Sequence, residues 1–371
     1  MTAPFERLRA HDFHPLQPER RTVTVDRTLG AHGVADPDDR DGRVRSLALR
    51  DLVALAADDP PAVARGLADD DLNVRVLAAA ALGVARVHDA RAPLERTVVH
   101  DPEPIVRAYA AIALGEMGSE ASVPLLHARL GPEPDADVRH QLELAAAQVA
   151  SGRWGSDAQR EAFASLREEG FGRVRAGEVA PDFALADVDG RPWRLHEGRG
   201  RWQVLLWIFA DWCPVCHREF AELMDARADF ERLGVRLATL EAHDAWRGRL
   251  MVGREIQPAL WGSRSWFRAA YTERIWWSHL PDLAGAVGAR YGTEPMTFAV
   301  HAEFVQRPTT VIVDPEGVVR FAYAGSFWGD RPSVGQVLDL IRRRDFTFVH
   351  PRRLAPPVTD GAAADGGAAR P

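Results

Sequence analysis

A repeat with a period of 32 residues constrains the fold of the first half of this chain more than any other feature of its sequence. Three Val-Arg pairs are spaced by this distance, and each begins a stretch rich in Ala and Leu: Val74, Val106 and Val138. A weaker copy begins at Val44, 30 residues before Val74. A period in this range with two helices per unit is typical of a helical solenoid. We therefore predict an all-α array of repeats over residues 43–152.

The pattern Asp-Pro-x-x-x-Val-Arg-x-x-Ala-x-x-Ala-Leu-Gly resembles that of the short HEAT-like repeats. The resemblance implies that the valine packs between helices, that the arginine pairs with acidic turn residues and that the alanines allow close helix contact. Such an array offers a surface to a protein partner, or serves only as a rigid spacer; we favour a protein partner. We interpret the array's His100, His127 and His140 as solvated or capping residues rather than metal ligands.

The second half of the chain holds the only two cysteines, Cys213 and Cys216, in a Cys-Pro-Val-Cys turn that follows Trp212. A continuous apolar run of strand length, residues 203–209, precedes the turn, and residues 219–230 after it have apolar side chains at helical spacing. The two thiols are therefore predicted on a strand-to-helix turn. A helix N-terminus favours an anion, lowers the pKa of a thiol and so favours the nucleophilic thiolate.

We expect Cys213 to be the outer, attacking thiol and Cys216, one turn further along the helix, to be the resolving thiol. Pro214 fits the first helical turn, where a missing N–H costs nothing. Other interpretations of the pair are a structural zinc site, a c-type haem attachment through a Cys-x-x-Cys-His pattern that ends at His217, and two core cysteines. The zinc site lacks a second cysteine pair, the haem site lacks an export signal, and a polar turn containing Pro is unusual in a core. We favour a redox dithiol that needs no metal or organic cofactor.

Composition excludes several classes of function. A chain of 371 residues is long enough for two domains, and its 46% hydrophobic and 27% charged content is that of a soluble globular protein. Its net charge of −7 gives no reason to expect nucleic acid or a membrane surface as a partner. No signal-peptide core and no membrane-spanning apolar run is present. We therefore expect a cytoplasmic protein whose thiols are mostly reduced at rest.

The rest of the chain is organised around these two regions. Residues 1–42 are polar and predict a loosely ordered arm, residues 153–174 predict an amphipathic linker helix, and residues 351–371 predict a disordered tail rich in Pro, Ala and Gly. Between linker and tail, residues 175–350 have the pattern strand, helix, strand, then a strand hairpin and a final helix. That order is typical of a compact α/β domain.

Three segments of this domain resemble the thioredoxin-like redoxin superfamily, and within it the peroxiredoxin-related AhpC/TSA-type branch: Ala180-Pro-Asp-Phe-Ala-Leu185, the Trp-Cys-Pro-Val-Cys turn, and Arg307-Pro-Thr-Thr-Val-Ile-Val-Asp-Pro-Glu-Gly317. The resemblance extends over about residues 175–344 and implies a thioredoxin-like fold with redox activity. It also implies that Pro308 is a cis-proline facing the dithiol. Arg307 either replaces the family's arginine near the peroxide or is simply the residue before that proline.

The turn Trp212-Cys-Pro-Val-Cys216, called the active turn below, departs from the pattern of that branch. The branch carries Thr or Ser three residues before its peroxidatic cysteine and Pro seven residues before it. With Cys216 at the peroxidatic position, Cys213 replaces the Thr or Ser and Phe209 replaces the Pro. The hydroxyl group that would orient a peroxide is therefore missing from this chain.

Groups that could transfer protons are less clearly marked. Trp207 stands where many thioredoxins place a buried Asp, so Asp211, Glu219 or a water would have to serve. His243, which follows a predicted strand end, and His279, in a segment over residues 278–282 that we interpret as a loop near the thiols, are further candidates. An insertion over residues 241–278 carries five tryptophans: Trp246, Trp261, Trp266, Trp276 and Trp277. These side chains either pack the insertion onto the sheet or form an apolar wall over the dithiol, and we favour packing.

Together these features predict a thiol-disulfide oxidoreductase. Cys213 would attack the disulfide of a protein or small molecule, Cys216 would resolve the mixed disulfide, and an external thiol reductant would recycle the pair. One alternative is a peroxiredoxin-type thiol peroxidase in which Cys216 attacks and Cys213 resolves. Another is a redox-sensing interaction protein, in which the repeats bind a partner and the dithiol switches that contact.

Overall fold

The computed structural model of the protein describes residues 3–13, 41–255, 274–325 and 329–348. Its first half is entirely helical, as the repeat predicted, and it continues into a single helix at the predicted linker. The helices are α1 (Ala3–Ala10), α2 (Asp41–Asp58), α3 (Pro60–Arg65), α4 (Leu72–Val84), α5 (Arg91–His100), α6 (Pro104–Glu116), α7 (Val123–Leu130), α8 (Ala136–Ser151) and α9 (Asp157–Ser165). Within the described ranges no helix is both long enough and apolar enough to cross a membrane.

The repeated Val-Arg pairs connect successive repeats. Each repeated valine is fully buried near the start of its helix: Val74 in α4, Val106 in α6 and Val138 in α8. Arg75 and Arg107, which follow the first two of these valines, bond the backbone carbonyls of their own turns and also pair with an acidic side chain of the next turn. Arg75 reaches Asp101 at 2.9 Å, and Arg107 reaches Glu133 at 2.7 Å. These pairs hold neighbouring repeats in one register.

Small side chains let α4, α6 and α8 approach one another closely. A Cβ on Gly83 would lie 2.6 Å from Cα of Ala113, and one on Gly115 would lie 3.0 Å from Cα of Ala145. The distance at Gly83 is too short for a real side-chain carbon and the distance at Gly115 is shorter than most real contacts, so glycine is favoured at the end of these two repeats. The sequence pattern Ala-Leu-Gly therefore reports a close helix–helix contact.

The N-terminal segment differs from the predicted loosely ordered arm. Helix α1 buries Phe5 and Leu8 against the array, because these two apolar residues lie three positions apart and share one face of the helix. This pairing is too short to stand out as a periodic pattern. The remainder of the predicted arm, residues 14–40, lies outside the described residues.

The second half forms an α/β domain around a five-stranded sheet. Its elements are β1 (Ala184–Ala186), β2 (Pro192–Arg194), β3 (Gln203–Trp207), α10 (Pro214–Asp225), α11 (Arg227–Arg232), β4 (Arg236–Glu241), α12 (Ala245–Met251), β5 (Ser278–Pro281), α13 (Ala286–Tyr291), β6 (Phe298–Val300), β7 (Glu303–Val305), β8 (Thr309–Val313), β9 (Val319–Ala324) and α14 (Val334–Arg343). The order of strands in the sheet is β5-β4-β3-β8-β9. Strand β3 runs parallel to β4 and antiparallel to β8, and β1–β2 and β6–β7 form two separate hairpins.

The tryptophans of the insertion that lie within the described residues pack into the domain, as favoured above. Trp246 and Trp277 are buried, and the indole N–H groups of Trp276 and Trp277 donate to Leu223 and Thr239 respectively. Two further tryptophans of the insertion, at positions 261 and 266, lie outside the described residues, as does the tail 351–371.

The two halves share a core. The hairpin β6–β7 lies against the array, and Phe304 is buried in the array's own apolar cluster. The Phe304 N–H donates to the Tyr109 hydroxyl at 2.8 Å, and the Arg45 guanidinium lies 4.7 Å from the centre of the Phe304 ring. Part of the array surface that was expected to bind a partner is therefore covered by the chain's own second domain.

Candidate active site

The dithiol lies where the sequence placed it, on the turn between β3 and α10. Cys213 is the N-cap residue of α10, and Pro214 is its first helical residue. Both cysteines are free thiols and both are buried, with exposed fractions of 2% for Cys213 and 0% for Cys216. Cys213 was expected to be the outer thiol, but Trp212 and neighbouring apolar side chains pack around it and leave it almost as buried as its partner.

The Cys216 sulfur is surrounded by hydrogen-bond donors. The Phe209 N–H donates to Sγ at 3.3 Å and Nη2 of Arg331 donates to it at 3.0 Å. Burial alone would raise the pKa of Cys216, but the hydrogen bond from Cys213 and the charge of Arg331 outweigh burial and lower the pKa to about 5. Cys216 is therefore a thiolate at neutral pH, which is the nucleophilic form.

The Cys213 thiol is affected in the opposite direction. Burial raises its pKa well above the ordinary value, and the nearby charge of Cys216 raises it further. The proton of the pair therefore stays on Cys213, where it is donated to the Cys216 sulfur. The expectation that Cys213 is the attacking thiol rests on the helix N-terminus, which was the only source of positive potential that a local pattern could show.

Glu219 joins the same site from one turn further along α10. Its carboxylate pairs with Nη1 of Arg331 at 2.9 Å, so that one guanidinium bridges the thiolate and the carboxylate. Burial raises the pKa of Glu219 to about 7, and the Cys216 charge adds to the effect while Arg331 opposes it. A carboxyl group with this pKa exchanges its proton near neutral pH, which suits a proton-transfer group beside the thiols.

Pro308 and Arg307, which the resemblance assigned to the site, differ in the structure from what the resemblance implied. Among the described residues no peptide bond is cis, so the Arg307–Pro308 bond is trans and the predicted cis-proline is wrong. The trans form is favoured by about 0.5–1 kcal/mol for an X–Pro bond, and extended backbone leads directly from Pro308 into β8. The Arg307 guanidinium pairs with Glu294 at 3.0 Å and lies over the Phe298 ring.

The guanidinium beside the thiols belongs instead to Arg331, which the analysis of the sequence did not select. Its signal was present, because the segment Asp330-Arg-Pro-Ser333 extends the resemblance to the redoxin branch. Nothing local, however, indicated that a residue 115 positions after Cys216 would reach the sulfur.

Two of the candidate acid–base groups, Asp211 and His243, lie in a second cluster together with Glu303. Asp211, His243 and Glu303 bring ligand atoms within 4.8 Å of one another, a spacing that could hold a metal ion. Two hydrogen bonds of 2.6 Å from Arg247 already bind the Asp211 carboxylate, and the same guanidinium donates to Glu303 at 3.1 Å. The positive charge that these carboxylates require is thus supplied by the protein itself.

The two candidate histidines, His243 and His279, form hydrogen bonds with side chains other than the thiols. Burial lowers the pKa of His243, but the carboxylates of Glu303 and Glu241 outweigh it and raise the pKa to about 10. His279 is buried and contacts Thr239 and Glu241 at 2.8 and 3.0 Å. Both side chains therefore belong to the charge network at the ends of β4 and β5.

Comparison with known proteins agrees with both halves of this description. Residues 176–322 match the AhpC/TSA family, and residues 60–147 match the HEAT repeats. The chain is 24% identical over 171 residues to a putative chloroplastic peroxiredoxin Q of Oryza sativa subsp. indica, which covers 46% of this chain and 68% of that protein. It is 36% identical over 64 residues to the thiol-disulfide oxidoreductase ResA of Geobacillus thermodenitrificans, which covers 17% of this chain and 36% of that protein.

Among solved structures, the reduced 2-Cys peroxiredoxin of Plasmodium vivax is 19% identical and covers 45% of this chain and 80% of that chain, with a TM-score of 0.36. That score is too low to support an argument by itself. The family match, the relatives and the buried dithiol agree that the second domain is a redox enzyme of the thioredoxin-like type.

Proposed function

We propose that this chain, which joins HEAT repeats to an AhpC/TSA-type redox domain, is a thiol peroxidase in which Cys216 attacks and Cys213 resolves. The observation that carries the proposal is the 3.0 Å hydrogen bond from Arg331 to the Cys216 sulfur. It stabilises a thiolate on Cys216, while Cys213 keeps its proton. This order of roles is the alternative that the sequence left open.

The first step consumes one peroxide molecule. The Cys216 thiolate attacks one oxygen, so that an S–O bond forms, the O–O bond breaks and Cys216 becomes a sulfenic acid. The leaving oxygen takes a proton and departs as water or an alcohol, and Glu219 can supply that proton because its pKa is about 7. The Arg331 guanidinium balances the negative charge that moves from sulfur to the leaving oxygen.

The second step closes the disulfide. The Cys213 thiol loses its proton, its sulfur attacks the Cys216 sulfur, and the sulfenic oxygen leaves as water. An external dithiol then reduces the Cys213–Cys216 bond through a mixed disulfide and is itself oxidised. No metal or organic cofactor takes part in either step.

Burial of both thiols supports a small substrate. Cys213 and Cys216 are 2% and 0% exposed, so a substrate reaches either sulfur only when the surrounding residues move, and a peroxide of a few atoms needs a smaller opening than the disulfide of a folded protein. This is the reason for placing a peroxide ahead of a protein disulfide.

A thiol-disulfide oxidoreductase is the second candidate. It is favoured by the position of Cys213 at the N-cap of α10, directly before Pro214, and by the 36% identity to a ResA protein over 64 residues. In this function Cys213 would attack a substrate disulfide and Cys216 would resolve it.

The two functions are separated by Cys213→Ser and Cys216→Ser, each assayed for hydrogen peroxide consumption and for reduction of insulin disulfides with dithiothreitol. We expect Cys213→Ser to react once with peroxide and to hold a trappable sulfenic acid on Cys216, while Cys216→Ser does not react. If Cys213→Ser instead abolishes insulin reduction and forms no sulfenic acid, the oxidoreductase function is correct.

A further inference from the structure

We infer that Glu303 is a positioning residue through which the helical array holds Trp212, and with it Cys213, in place for the resolving step. The inference rests on the proposed roles of the two thiols. The helical array would then have an intramolecular function, because its contacts with Glu303 support the turn that carries the two cysteines.

Glu303 lies at the centre of four side chains. It is buried in β7, and its carboxylate accepts hydrogen bonds from Trp212 at 2.8 Å, His243 at 3.1 Å, Arg247 at 3.1 Å and Gln141 at 3.2 Å. The first three donors belong to the redox domain, but Gln141 belongs to α8 of the array. One carboxylate therefore connects the array directly to the residue that precedes Cys213.

The hairpin that carries Glu303 is itself fixed by the array. The His301 imidazole pairs with Asp137 of α8 at 3.0 Å, and the Phe304 N–H bonds the hydroxyl of Tyr109 in α6. The His301 ring also meets the Trp212 indole edge to face, with ring centres 4.8 Å apart. Two side chains of the hairpin thus hold the indole, and two helices of the array hold the hairpin.

The position of Trp212 affects the Cys213 thiol more than the Cys216 thiol. Trp212 is bonded to Cys213 through the backbone, so the direction of its indole limits where the Cys213 sulfur can lie. Cys216 is oriented by Arg331, which comes from the segment after β9. Loosening the Glu303 contacts should therefore disturb the approach of Cys213 to Cys216 while leaving the thiolate of Cys216 intact.

The test uses Gln141→Leu in the full chain, with Gln148→Leu as the matched control. Both glutamines lie on α8 and each donates one hydrogen bond to the redox domain, but Gln148 bonds Asp244 at 2.8 Å and does not touch Glu303. Either change removes one contact between the halves. Only the first removes a contact of the carboxylate that holds Trp212.

The probe is cystamine, a small aliphatic disulfide. The Cys216 thiolate attacks it, one cysteamine leaves and a mixed disulfide forms; Cys213 then attacks the Cys216 sulfur and the second cysteamine leaves. Mass spectrometry of quenched samples follows both steps. We expect Gln141→Leu to slow the second step by about threefold to tenfold, the size expected for losing one typical hydrogen bond, and to leave the first step unchanged. Gln148→Leu should change neither step.

Equal slowing of both steps, or equal behaviour of the two variants, would overturn the inference. If Gln141→Leu does not fold, Tyr109→Phe provides a second route, because it removes only the hydroxyl that binds the hairpin backbone. The proposed function fails differently, since the mixed disulfide would then form on Cys213 or peroxide would not be consumed. Neither of those outcomes depends on Gln141.

Discussion

The guanidinium of Arg331 sets the charge distribution of the active turn. It donates to the Cys216 sulfur and pairs with Glu219, so two acidic groups share a single buried cation. The Cys216 sulfur accepts hydrogen bonds from Arg331 and from the Phe209 N–H, which is why the thiolate is assigned to the residue inside the helix. The helix N-terminus alone would favour Cys213.

Replacing Arg331 by Met should raise the pKa of Cys216 from about 5 towards the ordinary thiol value near 8.5. At pH 7 the thiolate fraction would then fall to a few per cent, so alkylation by iodoacetamide should slow by roughly 30-fold. Arg320→Met, which removes an arginine of β9 that pairs with Asp314, is the control and should leave the rate unchanged. An unchanged rate in Arg331→Met would contradict the assignment.

The depressed pKa of Cys216 also predicts the acid limb of the pH profile. The reactive form is the thiolate, so the rate of reaction with peroxide should fall as the pH drops below its maximum and through about 5. Stopped-flow measurement of a single turnover between pH 4 and pH 8 covers the transition. A midpoint near 8.5 would mean that neither Arg331 nor Cys213 stabilises the charge.

Glu219→Gln removes the proposed proton donor without changing the size of the side chain. Because the pKa of Glu219 is about 7, the wild-type peroxide step should lose rate as the pH rises through that value and the donor loses its proton. The variant should be slower by at least about tenfold and should show no such limb. Asp225→Asn, at an exposed position at the end of the same helix, should keep the wild-type profile.

Among the elements, the turn between β3 and α10 could be predicted because all its signals are local. An apolar run ends at Phe209, Pro214 begins a helix, and the apolar spacing after it is helical. The repeats could be predicted for the same reason, since each Val-Arg pair reports its own helix start. Patterns of this kind are present within about a dozen residues.

Long-range packing decided the features that could not be predicted. Arg331 reaches Cys216 from 115 residues away, and Tyr109 reaches Phe304 from 195 residues away, so neither contact leaves a local pattern. The burial of Cys213 depends in the same way on what packs around it. The proposed roles of the two thiols rest on these contacts.

The stability of the helical array depends on its repeated valines. Val106 is fully buried at the start of α6, a helix that packs between α4 and α8. Val106→Ala should lower the free energy of unfolding by about 2 kcal/mol through lost burial and the cavity left behind. Denaturant titration measures it. Val179→Ala, at a position with 68% of its surface exposed, should cost almost nothing, and an equal loss in both variants would contradict the prediction.

At the scale of the whole molecule, the shared core makes the two halves one folding unit. Phe304 belongs to the second domain by sequence but is buried in the cluster of the array. We therefore expect one calorimetric transition, and Phe304→Ala should lower the stability of the whole chain by about 3–4 kcal/mol. Two transitions, of which only one shifts in the variant, would show that the halves unfold separately.

The docked hairpin has a consequence for synthesis of the chain. A ribosome that has just completed α8 has produced every repeat, yet the site on Tyr109 stays open until Phe304, 195 residues later, has been made. At about 5–20 residues per second, the 153 residues from the end of α8 at Ser151 to Phe304 take roughly 8–30 seconds. During it the growing chain exposes an apolar flank that only its own later segment covers, which makes this interval the period in which a chaperone would be most useful.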